Sequence, residues 1–347
     1  MGKRNILLFD GTWNMPEASV PDGSEQVSNI YLIWKALGGA DLDRNSVALE
    51  ASQITEHGRL FYIRGVGTSG HKVQEAIAGA LGLGIVARIS AAYHWFCVNY
   101  EKNDDVFVFG FSRGAFAARS FCGLLSVAGA RRLSHREEAD DVCAGYMDRS
   151  VSGKSIPIQY LGIFDTVGTT VERPGDHALS PSNVASVRHA LALDEKRASF
   201  RPIFWKKKSG QQVLESWFVG AHSNIGGGYP DKNLSNIALF WILKGAEHAG
   251  LKLDYESIRG YQSEKVLVSR VDSWKAWLNK LPPVTGLLAT FAEVHQFIRS
   301  MNEDQTIHES VFDSFLADPN YVPTALLNGK PPTQAARSQH LAPWEFS

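Results

Sequence analysis

The stretch that decides the fold is residues 106–119, which read Val106-Phe107-Val108-Phe109-Gly110-Phe111-Ser112-Arg113-Gly114-Ala115-Phe116-Ala117-Ala118-Arg119. Its first half is β-branched and aromatic and its second half is rich in alanine, so it predicts a strand followed at once by a helix. Between the two lies Gly-x-Ser-x-Gly, the pattern of a nucleophile elbow, in which glycines flank a serine on a sharp turn. Ser112 is therefore the first candidate for a catalytic nucleophile, with Gly110 and Gly114 as the glycines of the elbow.

Strands and helices are predicted to alternate along the chain. The predicted strands are 5–9, 60–64, 106–109, 158–164 and 216–219, and the predicted helices are 29–37, 73–100, 114–126, 184–191 and 235–248. Apolar strands separated by helices indicate an α/β fold, a mainly parallel sheet with helices on both faces and functional sites at the carboxyl ends of the strands. We expect one domain over residues 1–330 and a surface tail over 331–347.

Polar clusters follow three of these strands. Asp10-Gly11-Thr12 follows the first strand, Asp165 follows the strand at 158–164, and His222 opens a glycine-rich stretch after the strand at 216–219. The order of serine, carboxylate and imidazole along the chain is therefore Ser112, Asp165, His222. This is the order of nucleophile, acid and base in α/β-hydrolases.

Nucleophilic catalysis gives each of these residue types a task. A base must take the proton of Ser112, and a carboxylate must hold the tautomer of that base, tasks that suit His222 and Asp165. The backbone N–H of Arg113, together with that of Gly11 or Thr12, is the expected oxyanion hole. Two alternatives stay open, because Asp165 also fits a turn-forming role and His222 a structural one. His308 is the rival for the base.

Residues 263–300 carry apolar side chains at helical spacing among lysines and arginines. This pattern is typical of a lid or interfacial surface, and equally of helices that pack on the main domain. We therefore predict a small helical cap formed largely within residues 250–305. If this region is a lid, the apolar part of a substrate lies along it with the reacting group over Ser112.

Composition narrows the class of protein. The chain has 347 residues, 44% of them hydrophobic, and a formal net charge of −1, which gives no global field for binding nucleic acid. Its three cysteines predict neither a zinc site nor a disulfide framework. The N-terminus lacks the pattern of a secretory signal, which indicates synthesis in the cytosol. The apolar stretch 73–98 is interrupted by charged residues and glycines and is expected to be a buried helix rather than a membrane span.

Five motifs together resemble one family. They are Phe-Asp-Gly-Thr-Trp-Asn from residue 9, Gly-Val-Gly-Thr from residue 65, the elbow, Phe-Asp-Thr-Val-Gly from residue 164, and Gly-Ala-His-Ser-Asn-Ile-Gly-Gly-Gly-Tyr from residue 220. The chain is similar, over about residues 5–315, to the family once catalogued as domain of unknown function 2235, which includes phospholipase effectors of bacterial type VI secretion. One departure is Asn224, which stands where the family usually has aspartate after His-Ser. The amide of Asn224 does not supply the negative charge that an aspartate would bring to this position.

The resemblance implies an α/β-hydrolase that cleaves carboxylic esters, in the known effectors the acyl esters of glycerophospholipids. It assigns the nucleophile to Ser112 and the acid and base to Asp165 and His222. It also implies contact with a lipid or ester substrate at a membrane surface, delivery by a type VI system, and a secretion carrier or immunity protein as a partner. A resident cytoplasmic enzyme fits the sequence equally well.

The motifs of two other enzyme classes are incomplete in this chain. A haloacid-dehalogenase phosphatase requires an aspartate two residues before Asp10, where this chain has Leu8. The stretch 65–70 follows a strand and contains spaced glycines, but no acidic residue ends a strand about twenty residues later, as a dinucleotide site requires. We expect no redox cofactor and no obligatory metal. A small-ester carboxylesterase, a thioesterase and a catalytically degenerate binding module remain alternatives.

Overall fold

The computed structural model describes residues 3–11, 18–19, 25–43, 48–65, 77–168, 179–261, 299–302, 304–317 and 321. The strands in these ranges are β1 (Arg4–Phe9), β2 (Ala18–Ser19), β3 (Glu25–Gln26), β4 (Glu50–Thr55), β5 (Gly58–Ile63), β6 (Asp105–Phe111), β7 (Ile158–Phe164), β8 (Val184–Ala192), β9 (Gln212–Phe218) and β10 (Thr306–Ile307). The α-helices are α1 (Asn29–Ala36), α2 (Ile77–Asn99), α3 (Arg113–Val127), α4 (Arg136–Met147), α5 (His222–Gly226), α6 (Asn233–His248) and α7 (Glu309–Ala317). Short 3₁₀ helices span Ala198–Phe200 and Glu256–Tyr261.

Eight of the strands form one sheet, in the order β10-β9-β8-β7-β6-β1-β5-β4. Neighbouring strands pair in parallel except at one edge, where β4 runs antiparallel to β5. The predicted mainly parallel α/β fold is confirmed. Because β6, β7 and β9 run in the same direction, the residues that follow their carboxyl ends meet at one edge of the sheet.

Both faces of the sheet are covered, which explains why its strands are almost continuously apolar. Successive residues of β1 point to opposite faces, so that Leu7 and Phe9 join the core shared with α2, α3 and α4, whereas Ile6 and Leu8 join the core shared with α1 and α6. All four side chains are fully buried. The central strands are therefore packed on both faces, which fixes the positions of the turns at their carboxyl ends.

One predicted helix is wrong. Residues 184–191 form the strand β8, which pairs in parallel with β7 on one side and β9 on the other. Alanine, leucine and arginine in this segment favour a helix in isolation, and the local pattern carries no clean alternation because the last four residues of the strand are all buried. Pairing with two neighbours overrides the local preference. The edge strands β4 and β10 are not predicted from the sequence.

Several sequence predictions concern residues outside the described ranges. Of the predicted cap at 250–305, the structure describes 250–261, 299–302 and 304–305, and the tail at 331–347 lies wholly outside. The cap and the domain boundaries remain predictions.

None of the helices in the described part of the chain is long and apolar enough to cross a membrane. All three cysteines are unpaired thiols, as expected.

Candidate active site

Ser112 occupies a strained turn between β6 and α3. Its backbone has φ of 60° and ψ of −126°, a conformation that few residues other than glycine adopt. The turn is tight enough that a Cβ at Gly110 would lie 2.6 Å from Cα of Ala115, and a Cβ at Gly114 would lie 2.3 Å from the carbonyl oxygen of Phe9. Both glycines are thus required by close contact between helix and sheet, the physical basis of the elbow pattern.

We expect Gly114→Ala to lower the free energy of unfolding by about 3 kcal/mol, because the new methyl group meets backbone oxygens that cannot turn away. Thermal unfolding followed by circular dichroism measures the effect. Gly260→Ala is the matched control, since a Cβ there meets nothing within 4 Å. Equal stability of the two variants would contradict the described packing of the elbow.

Ser112, His222 and Asp165 come together at the carboxyl edge of the sheet. Nδ1 of His222 lies 2.6 Å from Oδ2 of Asp165, and Nε2 of His222 lies 2.8 Å from Oγ of Ser112. An ionised carboxylate only accepts hydrogen bonds, so Nδ1 carries the imidazole proton and Nε2 accepts the hydroxyl proton of Ser112. The three side chains are buried. The serine therefore faces the lone pair of a neutral imidazole.

The carboxylate of Asp165 is held by an arginine that the sequence analysis did not single out. Arg299 Nη1 lies 2.6 Å from Oδ1 of Asp165, and Nη2 lies 2.9 Å from Oδ2. Both side chains are fully buried. Burial alone would raise the pKa of Asp165, but the charge of Arg299 and the hydrogen bond from His222 hold it below its usual range. No spacing signal links two residues 134 positions apart, so only the fold could reveal this pair.

The imidazole of His222 sits between two aromatic rings and above a second ion pair. Its ring centroid lies 4.7 Å from those of both Phe111 and Phe200. Its backbone N–H donates to Glu195, whose carboxylate is bound by Arg197 through both Nε and Nη2. Burial lowers the pKa of His222, and the neighbouring Asp165 only partly opposes this effect. The imidazole is thereby kept neutral and able to accept a proton.

The glycine-rich motif after His222 has a packing explanation. A Cβ at Gly226 would lie 2.0 Å from the ring of Phe111, and one at Gly227, where φ is 86°, would lie 2.8 Å from the backbone nitrogen of Asn29. Asn29 in turn donates to the carbonyl oxygen of Ile225. Only glycine allows α5 to approach β6 and α1 so closely, which brings His222 over Ser112.

Asn224 acts locally within this motif. Its Oδ1 accepts a hydrogen bond of 3.0 Å from the backbone N–H of Ala221, the residue before His222. The uncharged amide is sufficient for this contact. Among the described residues, no three histidine, cysteine or acidic side chains are grouped as metal ligands.

The predicted oxyanion hole is described only in part. Arg113 is the first residue of α3, so its backbone N–H has no acceptor within the helix. The N–H of Gly11 donates to the carboxylate of Asp10 at 2.6 Å and would have to leave it to reach a substrate. Asp10 also accepts hydrogen bonds from Ser28 and Tyr62, which fixes its buried carboxylate at the end of β1. Thr12 lies outside the described residues.

The described contacts of His308 are those of a structural residue. Its ring stacks on Phe218 at 4.4 Å, and its Nδ1 lies 3.0 Å from the hydroxyl of Ser310. Burial, with a smaller contribution from Arg188, lowers the pKa of His308 to about 3. The structure therefore brings His222, rather than His308, into contact with Ser112.

A mainly parallel sheet with a serine on the turn after a central strand is the architecture of an α/β-hydrolase. The catalytic-domain model of the Tle1-like phospholipase effectors of the type VI secretion system matches residues 3–152 and 133–245, and the chain belongs to this family of lipolytic hydrolases. The expected resemblance to type VI phospholipase effectors is thus confirmed. Arg299 lies beyond the matched residues.

Individual relatives are distant. An uncharacterized protein of Saccharomyces cerevisiae, YEL023C, is 24% identical over 240 residues, and the match spans 58% of this chain and 32% of the yeast protein. An uncharacterized protein from Pseudomonas aeruginosa has 18% identity and a TM-score of 0.49, with 83% of this chain and 52% of that one covered. The Tle1 effector bound to the VgrG spike has 17% identity and a TM-score of 0.42, with 83% and 78% covered. The chain thus spans about a third of the yeast protein and half of the Pseudomonas chain.

Proposed function

We propose that the protein is a serine hydrolase that cleaves carboxylic esters, with Ser112 as nucleophile, His222 as general base and Asp165 as the residue that orients it. The observation that carries the proposal is the continuous hydrogen-bonded line from Ser112 through His222 to Asp165, with contacts of 2.8 and 2.6 Å. These are the distances at which a base can take the proton of a nucleophile in the ground state. All three side chains are buried, and two aromatic rings pack against the imidazole and fix its position.

The reaction follows from the positions of the protons. Nε2 of His222 takes the hydroxyl proton as Oγ of Ser112 attacks the ester carbonyl, and the imidazolium that forms lies beside Asp165. The backbone N–H of Arg113 donates to the oxyanion, and a second donor from Gly11 or Thr12 completes the hole. The imidazolium returns its proton to the leaving alcohol. Water then attacks the acyl-serine by the same route and releases the carboxylic acid.

The substrate class that fits best is an acyl ester of a glycerophospholipid. Membership in the family of Tle1-like phospholipase effectors supports this choice. A small-ester carboxylesterase or a thioesterase would use the same three residues and differ in the shape of the acyl pocket. Substrate comparison therefore has to separate these activities.

The test is fatty-acid release from phosphatidylglycerol and phosphatidylethanolamine vesicles, compared with hydrolysis of p-nitrophenyl acetate, for wild type and Ser112→Ala. Release from vesicles that Ser112→Ala abolishes supports a phospholipase. Cleavage of the short ester alone would replace this assignment with a carboxylesterase. Activity on neither substrate by folded protein would favour a degenerate hydrolase used as a binding module.

For the partner, we propose a spike protein of the type VI secretion system as carrier, as in the structure of the Tle1 effector bound to VgrG. Delivery by such a carrier would bring the enzyme to the lipids of another cell. Co-purification with the VgrG proteins encoded by the same organism tests the proposal. An immunity protein is the second proposed partner and would be recognised by inhibition of vesicle hydrolysis.

The dependence of the rate on pH follows from burial of His222. The imidazole accepts a proton only while it is neutral, so kcat/KM falls as the pH drops through its pKa. Burial lowers this pKa from the ordinary value of about 6.5, and the acid limb of the profile is therefore expected to have its midpoint below about pH 6.5. A midpoint above pH 7 in the wild type would contradict the described environment of His222.

A further inference from the structure

We propose that Arg299 is a positioning residue of this site, whose guanidinium acts through Asp165 to set both the orientation and the charge state of His222. The inference rests on the proposed function for its kinetic consequences. Its structural basis is independent of that function, because Arg299 is fully buried and places one Nη on each oxygen of Asp165, at 2.6 and 2.9 Å.

The pairing leaves little freedom to the carboxylate. Oδ1 of Asp165 accepts from Arg299 and from the backbone N–H of Ala192 at 3.1 Å, while Oδ2 accepts from Arg299 and from His222. Two parallel N–H donors fix the plane of a carboxylate, which a single ammonium cannot do. The carboxylate plane in turn directs Oδ2 at Nδ1 of His222.

Arg299 also donates hydrogen bonds to two backbone carbonyl oxygens beside the site. Its Nη1 donates to the carbonyl oxygen of Ala192 at 2.9 Å, and its Nη2 donates to that of Phe200 at 2.6 Å. The ring of Phe200 lies edge-on against His222. One guanidinium therefore connects the acid of the site, the end of β8 and an aromatic wall of the imidazole.

Arg299 supplies one of the two positive charges in the group of ionised side chains around His222. The ionised groups around the imidazole are Asp165, Arg299, Glu195 and Arg197, two anions and two cations. Behind Asp165, the neighbouring His189 and Glu215 form a further pair, in which His189 accepts from the N–H of Thr166 and donates to Glu215. Without Arg299 the four-group cluster would carry a net negative charge. That charge would favour protonated His222 and would leave the burial of Asp165 uncompensated.

Arg299→Met removes the positive charge beside Asp165. Arg299→Lys keeps a positive charge but lacks the two parallel N–H donors of the guanidinium. We expect Arg299→Met to lower kcat/KM about 100-fold and to move the acid limb of its pH profile upward by about one unit, because excess negative charge protonates His222 or Asp165 at higher pH. Arg299→Lys should keep the acid limb near its wild-type position while kcat stays reduced. A residue with only a structural role would lower the rate without moving the limb.

Arg119→Met is the matched control. Arg119 is equally buried and donates to the carbonyl oxygens of Leu179, Ile203 and Phe204, in the segment that Arg299 also binds, but its hydrogen bonds to described residues do not include Asp165. Arg119→Met is expected to lose stability with its acid limb unmoved. An unmoved limb in Arg299→Met, or an equal shift in Arg119→Met, would overturn the proposal.

Two further measurements test the role of Arg299 even if the protein cleaves no ester or if Arg299→Met does not fold. The imidazole nitrogens of His222, assigned in ¹⁵N-histidine spectra by comparison with His222→Ala, should titrate about one unit higher in Arg299→Met even if no ester is cleaved. If Arg299→Met does not fold, the double variant Asp165→Asn/Arg299→Met should recover folding, since it removes the uncompensated charge. A double variant that also fails to fold would contradict the proposal.

Discussion

Ser112→Ala is expected to lower kcat for ester hydrolysis by about 10⁵-fold and to abolish covalent labelling by a fluorophosphonate. The variant removes the only atom at hydrogen-bond distance from Nε2 of His222 among the described side chains. Residual hydrolysis would come from the oxyanion donors and from substrate binding alone. Mass spectrometry of the intact protein measures the labelling, and fatty-acid release measures the rate.

The control for this variant is Ser120→Ala, which removes a buried hydroxyl from the same helix, α3, without touching the elbow. It should be labelled as fast as wild type. If folded Ser112→Ala is still labelled or still releases fatty acid at more than a hundredth of the wild-type rate, Ser112 is not the nucleophile and the proposed mechanism is wrong.

His222→Ala is expected to lower kcat by about 10⁴-fold to 10⁶-fold, because Ser112 then has no base within reach and the charge of Asp165 has no imidazolium to stabilise. Folding should persist, since the imidazole makes its hydrogen bonds within the site. Single-turnover release of p-nitrophenol measures acylation directly, and near-ultraviolet circular dichroism checks the fold.

His308→Ala is the comparison that decides between the two candidate bases. It removes a ring stacked on Phe218 and should reduce stability, with kcat within a few-fold of wild type. The reverse pattern, near-normal turnover in His222→Ala and loss of turnover in folded His308→Ala, would assign the base to His308.

Much of this fold could be predicted because several of its strands are recognisable from short stretches of sequence. β1, β6 and β7 are mostly apolar, each is followed by a polar residue, and the structure starts and ends them within two residues of the predictions. The sequence of β8 predicts a helix because its alanines and leucine carry no strand signal without the two neighbouring strands. Burial on both faces removes the alternation that identifies a strand.

Some residues of the candidate site could likewise be predicted from the sequence, and others could not. Ser112, Asp165 and His222 each follow a predicted strand, so the parallel sheet alone suggests that they meet. No sequence pattern identifies Arg299 or the hydrogen bond between Glu195 and the backbone of His222. These contacts depend on proximity in the fold rather than on spacing along the chain. The glycines at 226 and 227 were visible as a motif, but their reason, contact with Phe111 and Asn29, was not.

The long separation between Asp165 and Arg299 has a consequence for the order of folding. Ser112, Asp165 and His222 are all synthesised before the arginine that neutralises the acid, and 134 residues separate that arginine from Asp165. Contacts of such high sequence separation close late, because a long loop must first be ordered. A nascent or truncated chain that ends before residue 299 therefore carries the three reactive groups without their counter-charge. Full hydrolytic activity is expected only when the segment that carries Arg299 docks.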